Sequence, residues 1–94
     1  MLIELVELQQ KINGTYVLNT IYLNPKHIIY ISEDRHHGQL AEQNKLKIGL
    51  IKGATFSRIR INQNNNVNEI TVVGDPATIE HKIFKKTSRT LLRG

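Results

Sequence analysis

The sequence has 94 residues, no cysteine and a formal net charge of +5. A chain of this length forms one domain, and without cysteine it has neither disulfides nor thiolate metal sites. No apolar run approaches the roughly 20 residues of a membrane-spanning helix. Glu4 and Glu7 stand where a signal peptide would be positively charged. We therefore expect a cytoplasmic protein with an anionic partner, of which nucleic acid is the commonest.

The first predicted element is a β-hairpin. Asn13-Gly14 supplies the two residues at positive φ that a type I′ turn requires, and it lies between the apolar segments 2–12 and 15–23. A helix over the first segment is the alternative, because the apolar positions 2, 5, 6 and 8 also fit helical spacing.

The turn predicts a register for this hairpin. With Asn13-Gly14 at the tip, Ile12 pairs with Thr15, and the ladder continues with Leu8 opposite Asn19. One face then collects Leu2, Val6, Leu8, Ile12, Val17, Ile21 and Leu23. The other face is apolar as well and needs cover beyond one helix, which favours self-association through Leu5, Tyr16, Leu18 and Tyr22.

The middle of the chain is predicted to contain one strand and one loop. Asn24-Pro25 interrupts the chain, and residues 27–32 form a strand with apolar residues on both sides, which is typical of a central strand. Residues 33–45 are polar and predict a mobile loop with a helical turn near 40–43. Residues 46–51 form either a short strand or a continuation of that loop.

A second hairpin follows. Residues 55–62 alternate between apolar and polar, residues 63–66 form an Asn-rich turn, and residues 67–73 return as a strand. This pairing places Arg60 opposite Glu69 and Phe56 opposite Val73.

A C-terminal helix is predicted from Pro76 to about Thr87. Asp75 is a favourable N-cap, and proline suits the first helical position. The predicted fold is thus a single α+β domain at 1–94, with an antiparallel sheet of about five strands in 1–73 and one basic helix and tail in 75–94.

The helix separates its charge from its apolar residues. No acidic residue follows Glu80, and five basic residues share about a third of the helix circumference: Lys82, Lys85, Lys86, Arg89 and Arg93. The residues Ile79, Ile83, Phe84 and Leu91 lie toward the opposite side. We call the five basic residues the basic stripe; it forms either the solvated side of a surface helix or a contact surface for phosphates.

One strand face is a second candidate for nucleic-acid binding. Phe56, Arg58 and Arg60 lie on the same side of their strand, and an aromatic residue beside two arginines can stack a base and pair with phosphates. The alternative is structural, since Arg60 has Glu69 as a cross-strand partner and Phe56 fits a core.

No catalytic signature is present in the sequence. His36 and His37 are adjacent, and with Glu33 and Asp34 they form a candidate metal site, although a solvated loop is the favoured interpretation. A dyad of Ser57 with these histidines lacks any supporting motif. We therefore expect no enzyme, no cofactor and no bound metal.

Two segments resemble a known layout. Residues 22–31, with Asn24-Pro25 between two strands, resemble an element of the flagellar FlbD-like family, and residues 70–80 are similar to its closing strand and short helix. Residues 87–94 resemble the ends of small proteins of large tailed bacteriophages. The resemblance implies a β-meander with a terminal helix in a phage-encoded, non-enzymatic accessory factor; it implies no active-site residue. Residues 33–53 depart from it.

Two functional hypotheses follow. In the first, the protein is a regulatory or accessory protein that binds nucleic acid, or a nucleic-acid-handling complex, through the basic stripe, extended by Arg58, Arg60 and Phe56. In the second, it is a protein-interaction or structural module, such as a homo-oligomer or virion component. An acidic protein surface is the alternative partner to nucleic acid. Neither hypothesis involves a membrane.

Overall fold

The fold is an antiparallel sheet with a helix on each face. The computed structural model describes the backbone of residues 1–49 and 53–93 and the side chains of 1–49 and 53–85. Its elements are β1 (Ile3–Gln10), β2 (Tyr16–Leu23), a 3₁₀ turn (Pro25–His27), β3 (Ile28–Glu33), α1 (Arg35–Glu42), β4 (Phe56–Gln63), β5 (Asn66–Val73) and α2 (Pro76–Arg93). The strand order is β2-β1-β5-β4-β3. This confirms the predicted α+β class, five-stranded sheet and C-terminal helix.

The first hairpin forms, but its predicted register is wrong by one residue. Leu8 lies opposite Leu18, and Val6 opposite Thr20. The N–H of Lys11 donates to the carbonyl of Thr15 at 2.7 Å, and the N–H of Gly14 donates to the carbonyl of Lys11 at 2.9 Å. Only Gly14 of the Asn-Gly pair has positive φ, at 87°. The turn is therefore a three-residue loop closed by a glycine bulge instead of a type I′ turn.

The register shift changes which residues of β2 share a face with each residue of β1, so Leu18 instead of Asn19 lies opposite Leu8. Side chains alternate between the two faces of a strand, so a shift of one residue exchanges the faces. Leu5, predicted to need outside cover, is 1% exposed because its face packs with Ile79 of α2. Ile12, predicted for the same face as Leu8, lies in the loop closed by Lys11 and Thr15 and is fully exposed. Helical structure over this segment is excluded as well, since β1 is a strand throughout.

The strand β3 lies at the edge of the sheet, which corrects its predicted central position. Ile29 and Tyr30 are 52% and 44% exposed. The ladder with β4 has an irregularity between Ile28 and Tyr30, so Ile28 lies opposite Ile61, and Ile31 lies opposite Ile59. The bulge lets two isoleucines of this edge strand reach the same core.

A helix replaces the predicted loop at 33–45. α1 begins after Asp34, whose side chain accepts the N–H of His37, and it includes both adjacent histidines. Leu46 follows it as a buried core residue, 3% exposed, without forming a strand at 46–49. The remainder of the predicted segment 46–51 includes residues outside the described part of the chain.

The second hairpin has the predicted register. Asn62 lies opposite Val67, Arg60 opposite Glu69, and Phe56 opposite Val73. The turn residues Asn64 and Asn65 both have positive φ, at 50° and 66°. A two-residue turn with two positive φ values is type I′, whose twist matches that of the flanking strands.

The two faces of the sheet have separate apolar cores. On the face that we call the α2 face, Ile79 of α2 packs with Ile3, Leu5, Leu23, Ile59, Ile61 and Val72. On the opposite face, the α1 face, residues of α1 and the following loop cover Leu8, Phe56 and Val73. The helices are therefore on opposite sides of the sheet, and this arrangement determines where each basic surface lies.

Candidate nucleic-acid interface

The predicted nucleic-acid-binding residues do not form one surface. The side chains of β4 alternate, so Phe56, Arg58 and Arg60 project to the α1 face while Ser57, Ile59 and Ile61 project to the α2 face. The basic stripe belongs to the helix that covers the α2 face. The two arginines therefore do not extend the basic stripe, which corrects that part of the prediction.

Phe56 is buried, so its predicted stacking role is wrong. Its exposure is 0%, and it packs in the core of the α1 face with Leu8 and Leu46. The accessible aromatic ring near the arginines belongs to Tyr30 on β3. The guanidinium carbon of Arg60 lies 6.0 Å from the centre of this ring, a distance at the limit of a cation–π contact.

The charge of Arg58 is compensated within the protein. Its Nε lies 3.3 Å from a carboxylate oxygen of Glu69, and one terminal nitrogen lies 3.8 Å from Oδ2 of Asp34. Glu69 also accepts the hydroxyl of Tyr30 at 3.4 Å. Glu69 thus pairs with Arg58, diagonal to it, although Arg60 is its direct neighbour in the register. A phosphate at this face would meet two carboxylates beside the arginines, which makes the site a weak anion surface.

α2 is well anchored at its start. Asp75 accepts the N–H of Thr78 at 2.8 Å, which confirms the predicted N-cap. Ile79 is fully buried, and Ile83 packs on the same core. Hydrogen bonds from the hydroxyl and N–H of Thr78 hold the pKa of Asp75 below its usual value, and the carboxylate stays charged at the positive end of the helix dipole. The helix continues to Arg93, beyond the predicted end near Thr87.

The first members of the basic stripe lie on the surface of α2. Lys82 and Lys85 are exposed, and Nζ of Lys82 lies 3.2 Å from the carbonyl oxygen of Glu4. The stripe therefore begins on the flank of the helix nearest β1. Lys86, Arg89 and Arg93 occupy helical positions, and their side chains lie outside the described residues. Phe84 was expected on the docked side, but it is 68% exposed.

All of the net charge belongs to the segment that contains the basic stripe. Residues 1–80 contain all eight acidic residues and eight of the 13 basic residues, so their formal net charge is zero. The five basic residues of the stripe supply the full +5. A surface that is basic for solubility alone would distribute this excess over the whole chain, whereas here it is concentrated between Lys82 and Arg93 of one helix.

A second polar site lies where α1 meets the sheet; it joins Asp34 and His37, two members of the candidate metal site, to Thr71, which the sequence did not connect with them. The side chain of Asp34 is fully buried and its Oδ2 lies 2.7 Å from Nδ1 of His37 and 3.0 Å from the hydroxyl of Thr71. The ring of His37 lies edge-on to Tyr16, with centroids 6.0 Å apart. The signal available in the sequence was Asp34 three residues before His37, the spacing of a helix N-cap and its third residue.

This Asp34–His37–Thr71 cluster is a structural connection. Every oxygen of the buried carboxylate has a partner, and it joins the start of α1 to the middle of β5. The ring centres of His36 and His37 lie 5.0 Å apart. Within residues 1–49 and 53–85, no three His, Cys, Asp or Glu side chains are grouped as a metal site would require. The prediction that both histidines lie in a solvated loop is therefore wrong, because they are in the first turn of α1 and His37 is bound to Asp34.

Comparisons with known proteins identify no relative: no family model, curated protein or solved structure matches the chain. The resemblance to the FlbD-like family and to phage proteins therefore stays a prediction. Among the described helices, none is long and apolar enough to cross a membrane.

Proposed function

We propose that this protein is a non-enzymatic accessory protein that binds the phosphate backbone of nucleic acid through the basic stripe of α2. The observation that carries the proposal is the concentration of the entire net charge of +5 in residues 81–94, on a helix that continues to Arg93. Five like charges on one helical flank repel each other, and an anionic partner relieves that repulsion.

The geometry favours backbone contact without base recognition. Lysine ammonium groups act as point charges on flexible stems, which suits phosphates in variable positions. The arginines of β4 lie on the α1 face, on the side of the sheet opposite to α2, and there Asp34 and Glu69 already lie close to Arg58. Binding is therefore expected to depend strongly on salt and little on sequence.

The experiment compares two variants with equal charge change. The first replaces Lys82, Lys85, Lys86 and Arg89 with Ala. The control replaces four exposed lysines outside α2 with Ala, namely Lys11, Lys26, Lys45 and Lys47. Alanine favours helix, so the first variant keeps α2. Fluorescence anisotropy with labelled single-stranded DNA, duplex DNA and RNA gives the affinity at several salt concentrations.

We expect the stripe variant to lose roughly tenfold or more in affinity and its salt slope to fall by about one unit per lost phosphate contact. The control variant should lose much less, because those lysines lie within the electrically balanced part of the chain. Equal losses in both variants would show that only net charge matters. The absence of binding to all three nucleic acids at low salt would refute the proposal and favour an acidic protein surface.

A further inference from the structure

One edge of the sheet lacks the features that protect edge strands from pairing. Within the described chain, β1 is the only strand hydrogen-bonded to β2, so the other side of β2 is open. β2 has eight residues in unbroken register, with no proline and no charged side chain. Natural edge strands are protected by charges, prolines, bulges or short length, and β2 has none of these.

The opposite edge shows how the same sheet protects itself elsewhere. β3 has six residues, follows Pro25, contains an irregularity after Ile28 and ends at the charged Glu33. The two edge strands of this sheet therefore differ: β3 has features that hinder pairing with another strand, and β2 has none of them. This contrast indicates that the open side of β2 serves as a pairing surface.

The hydrogen bonds at the turn determine which groups point to the open edge. Lys11 and Thr15 form the hydrogen-bonded pair that closes the hairpin. Bonded and non-bonded pairs alternate along an antiparallel ladder, so Val17 and every second residue after it bond to β1. The backbone N–H and C=O groups that point away from β1 belong to Tyr16, Leu18, Thr20 and Tyr22.

We propose that the open edge of β2 pairs antiparallel with β2 of a second copy of this chain, giving a continuous ten-stranded sheet. The four outward-pointing residues are symmetric about Asn19. In that register Tyr16 lies opposite Tyr22 of the copy, Leu18 lies opposite Thr20, and Asn19 lies opposite its own counterpart. All outward-pointing backbone groups of both strands are then satisfied, and the interface obeys the two-fold symmetry of a closed dimer.

The side chains of β2 favour a copy over a charged foreign strand. The whole protein carries +5, yet β2 has no charge that would repel its counterpart. Tyr22 is 65% exposed, and the pairing places the Tyr16 ring of the copy beside it on the α1 face. On the α2 face, Val17 and Ile21 are direct neighbours across the interface. The amide nitrogen of Asn19 donates to Oε1 of Gln9 in its own chain at 2.6 Å, which leaves one N–H and the amide oxygen of each central asparagine to hydrogen-bond to its counterpart.

The first test is the oligomeric state together with amide hydrogen exchange of the full chain. We expect sedimentation equilibrium to show a monomer–dimer equilibrium over roughly 1–300 µM, the range of weak to moderate association. The amides of Leu18 and Thr20 should become protected as the dimer forms. The amides of Val17, Asn19 and Ile21 should be protected at every concentration, because they bond to β1.

Charge variants at the symmetry axis test the register. Asn19→Lys places like charges opposite each other, and so does Asn19→Asp; each should be monomeric, whereas an equimolar mixture should form a heterodimer. Ile29→Lys, on the β3 edge, is the control and should dimerise as the wild type does. Circular dichroism verifies that the variants remain folded.

Two results would overturn the proposal. A dimer whose Leu18 and Thr20 amides exchange freely would show association through another surface. A monomer at every concentration would show that β2 does not pair with itself and would favour a foreign extended segment as its partner. Nucleic-acid binding has a separate readout, so loss of the dimer and loss of that function are distinguishable.

Discussion

The carboxylate of Asp34 holds His37 by two bonds. One oxygen accepts the N–H of His37 at 3.0 Å, and the other lies 2.7 Å from the ring nitrogen Nδ1. A single side chain therefore caps α1 and orients an imidazole at its first turn. Because the hydroxyl of Thr71 on β5 donates to the same carboxylate, the position of α1 on the sheet depends on Asp34.

Removing this carboxylate should destabilise the protein strongly. Asp34→Ala leaves the Thr71 hydroxyl and the start of α1 without their acceptor at a buried site, and we expect a loss of about 2–4 kcal/mol. Asp75→Ala is the matched control, because it removes the N-cap of α2 at a position where the carboxylate reaches solvent, and it should cost clearly less than Asp34→Ala. Urea unfolding measures both. Equal losses would show that Asp34 acts only as a cap.

The same group makes stability depend on pH. Burial of Asp34 by itself raises its pKa, but hydrogen bonds from the N–H and ring of His37 and from Thr71 outweigh burial and hold it below the usual value of 3.8. The unfolded chain therefore binds this proton more readily than the folded one. Its stabilising contribution is complete above the unfolded pKa and decreases as the pH falls toward the folded pKa.

The measurement is the free energy of unfolding from about pH 6 downward, in the wild type and in Asp34→Asn. The difference between them should be constant at the upper end and should shrink below pH 3.8. Asp75 titrates in the same direction in both proteins, so its effect cancels. A difference that stays constant to the lowest pH would contradict the assignment.

Local sequence signals predicted the second hairpin and misplaced the first. In the second hairpin, strict alternation and the Asn-rich turn agree on one register. In the first, both faces are apolar, so only the turn selects a register, and Asn13-Gly14 fits both a type I′ turn and a bulged loop. The side chain of Asn13 selects the latter by accepting the N–H and hydroxyl of Thr15, at 3.1 and 2.7 Å.

α1 was missed because its stability comes from distant contacts. Its sequence is polar, with Leu40 and Ala41 as its apolar contacts to the core, and it contains Gly38. The partner that fixes its start is Thr71, 37 positions after Asp34. The arrangement of the basic surfaces was predictable in part: α2 must cover the apolar side of β4, which places the arginines of β4 on the other face.

Gly74 and Gly38 should respond in opposite ways to substitution by alanine. Gly74 has a backbone conformation that favours glycine, whereas Gly38 lies within a helix, where alanine is preferred. Gly74 has φ +113°, and an added Cβ would lie 3.5 Å from Cδ1 of Ile79. Its carbonyl also accepts the buried hydroxyl of Ser57 at 2.7 Å. Gly74→Ala should therefore destabilise by about 1–3 kcal/mol.

Gly38 is the matched control within α1. An added Cβ there meets nothing within 4 Å, and the residue is helical. Gly38→Ala should stabilise by about 0.4–1 kcal/mol. Thermal unfolding of the two variants should show melting temperatures that shift in opposite directions. A stabilising Gly74→Ala would show that the turn before α2 tolerates a side chain.

The turn of the first hairpin determines whether Ile12 lies in a strand or in the loop, and buried Leu5 of the same segment is the reference for it. In the observed register Leu5 is 1% exposed beneath α2, and Ile12 is fully exposed at the turn. Leu5→Ala should cost about 2–5 kcal/mol, and Ile12→Ala should change stability by less than about 0.5 kcal/mol. The register predicted from a type I′ turn places Ile12 on the face of Leu8 and Leu5 on the face that needs outside cover. Equilibrium unfolding that showed the larger loss for Ile12→Ala would therefore restore the type I′ register and, with it, exchange the residues that β2 presents on each face.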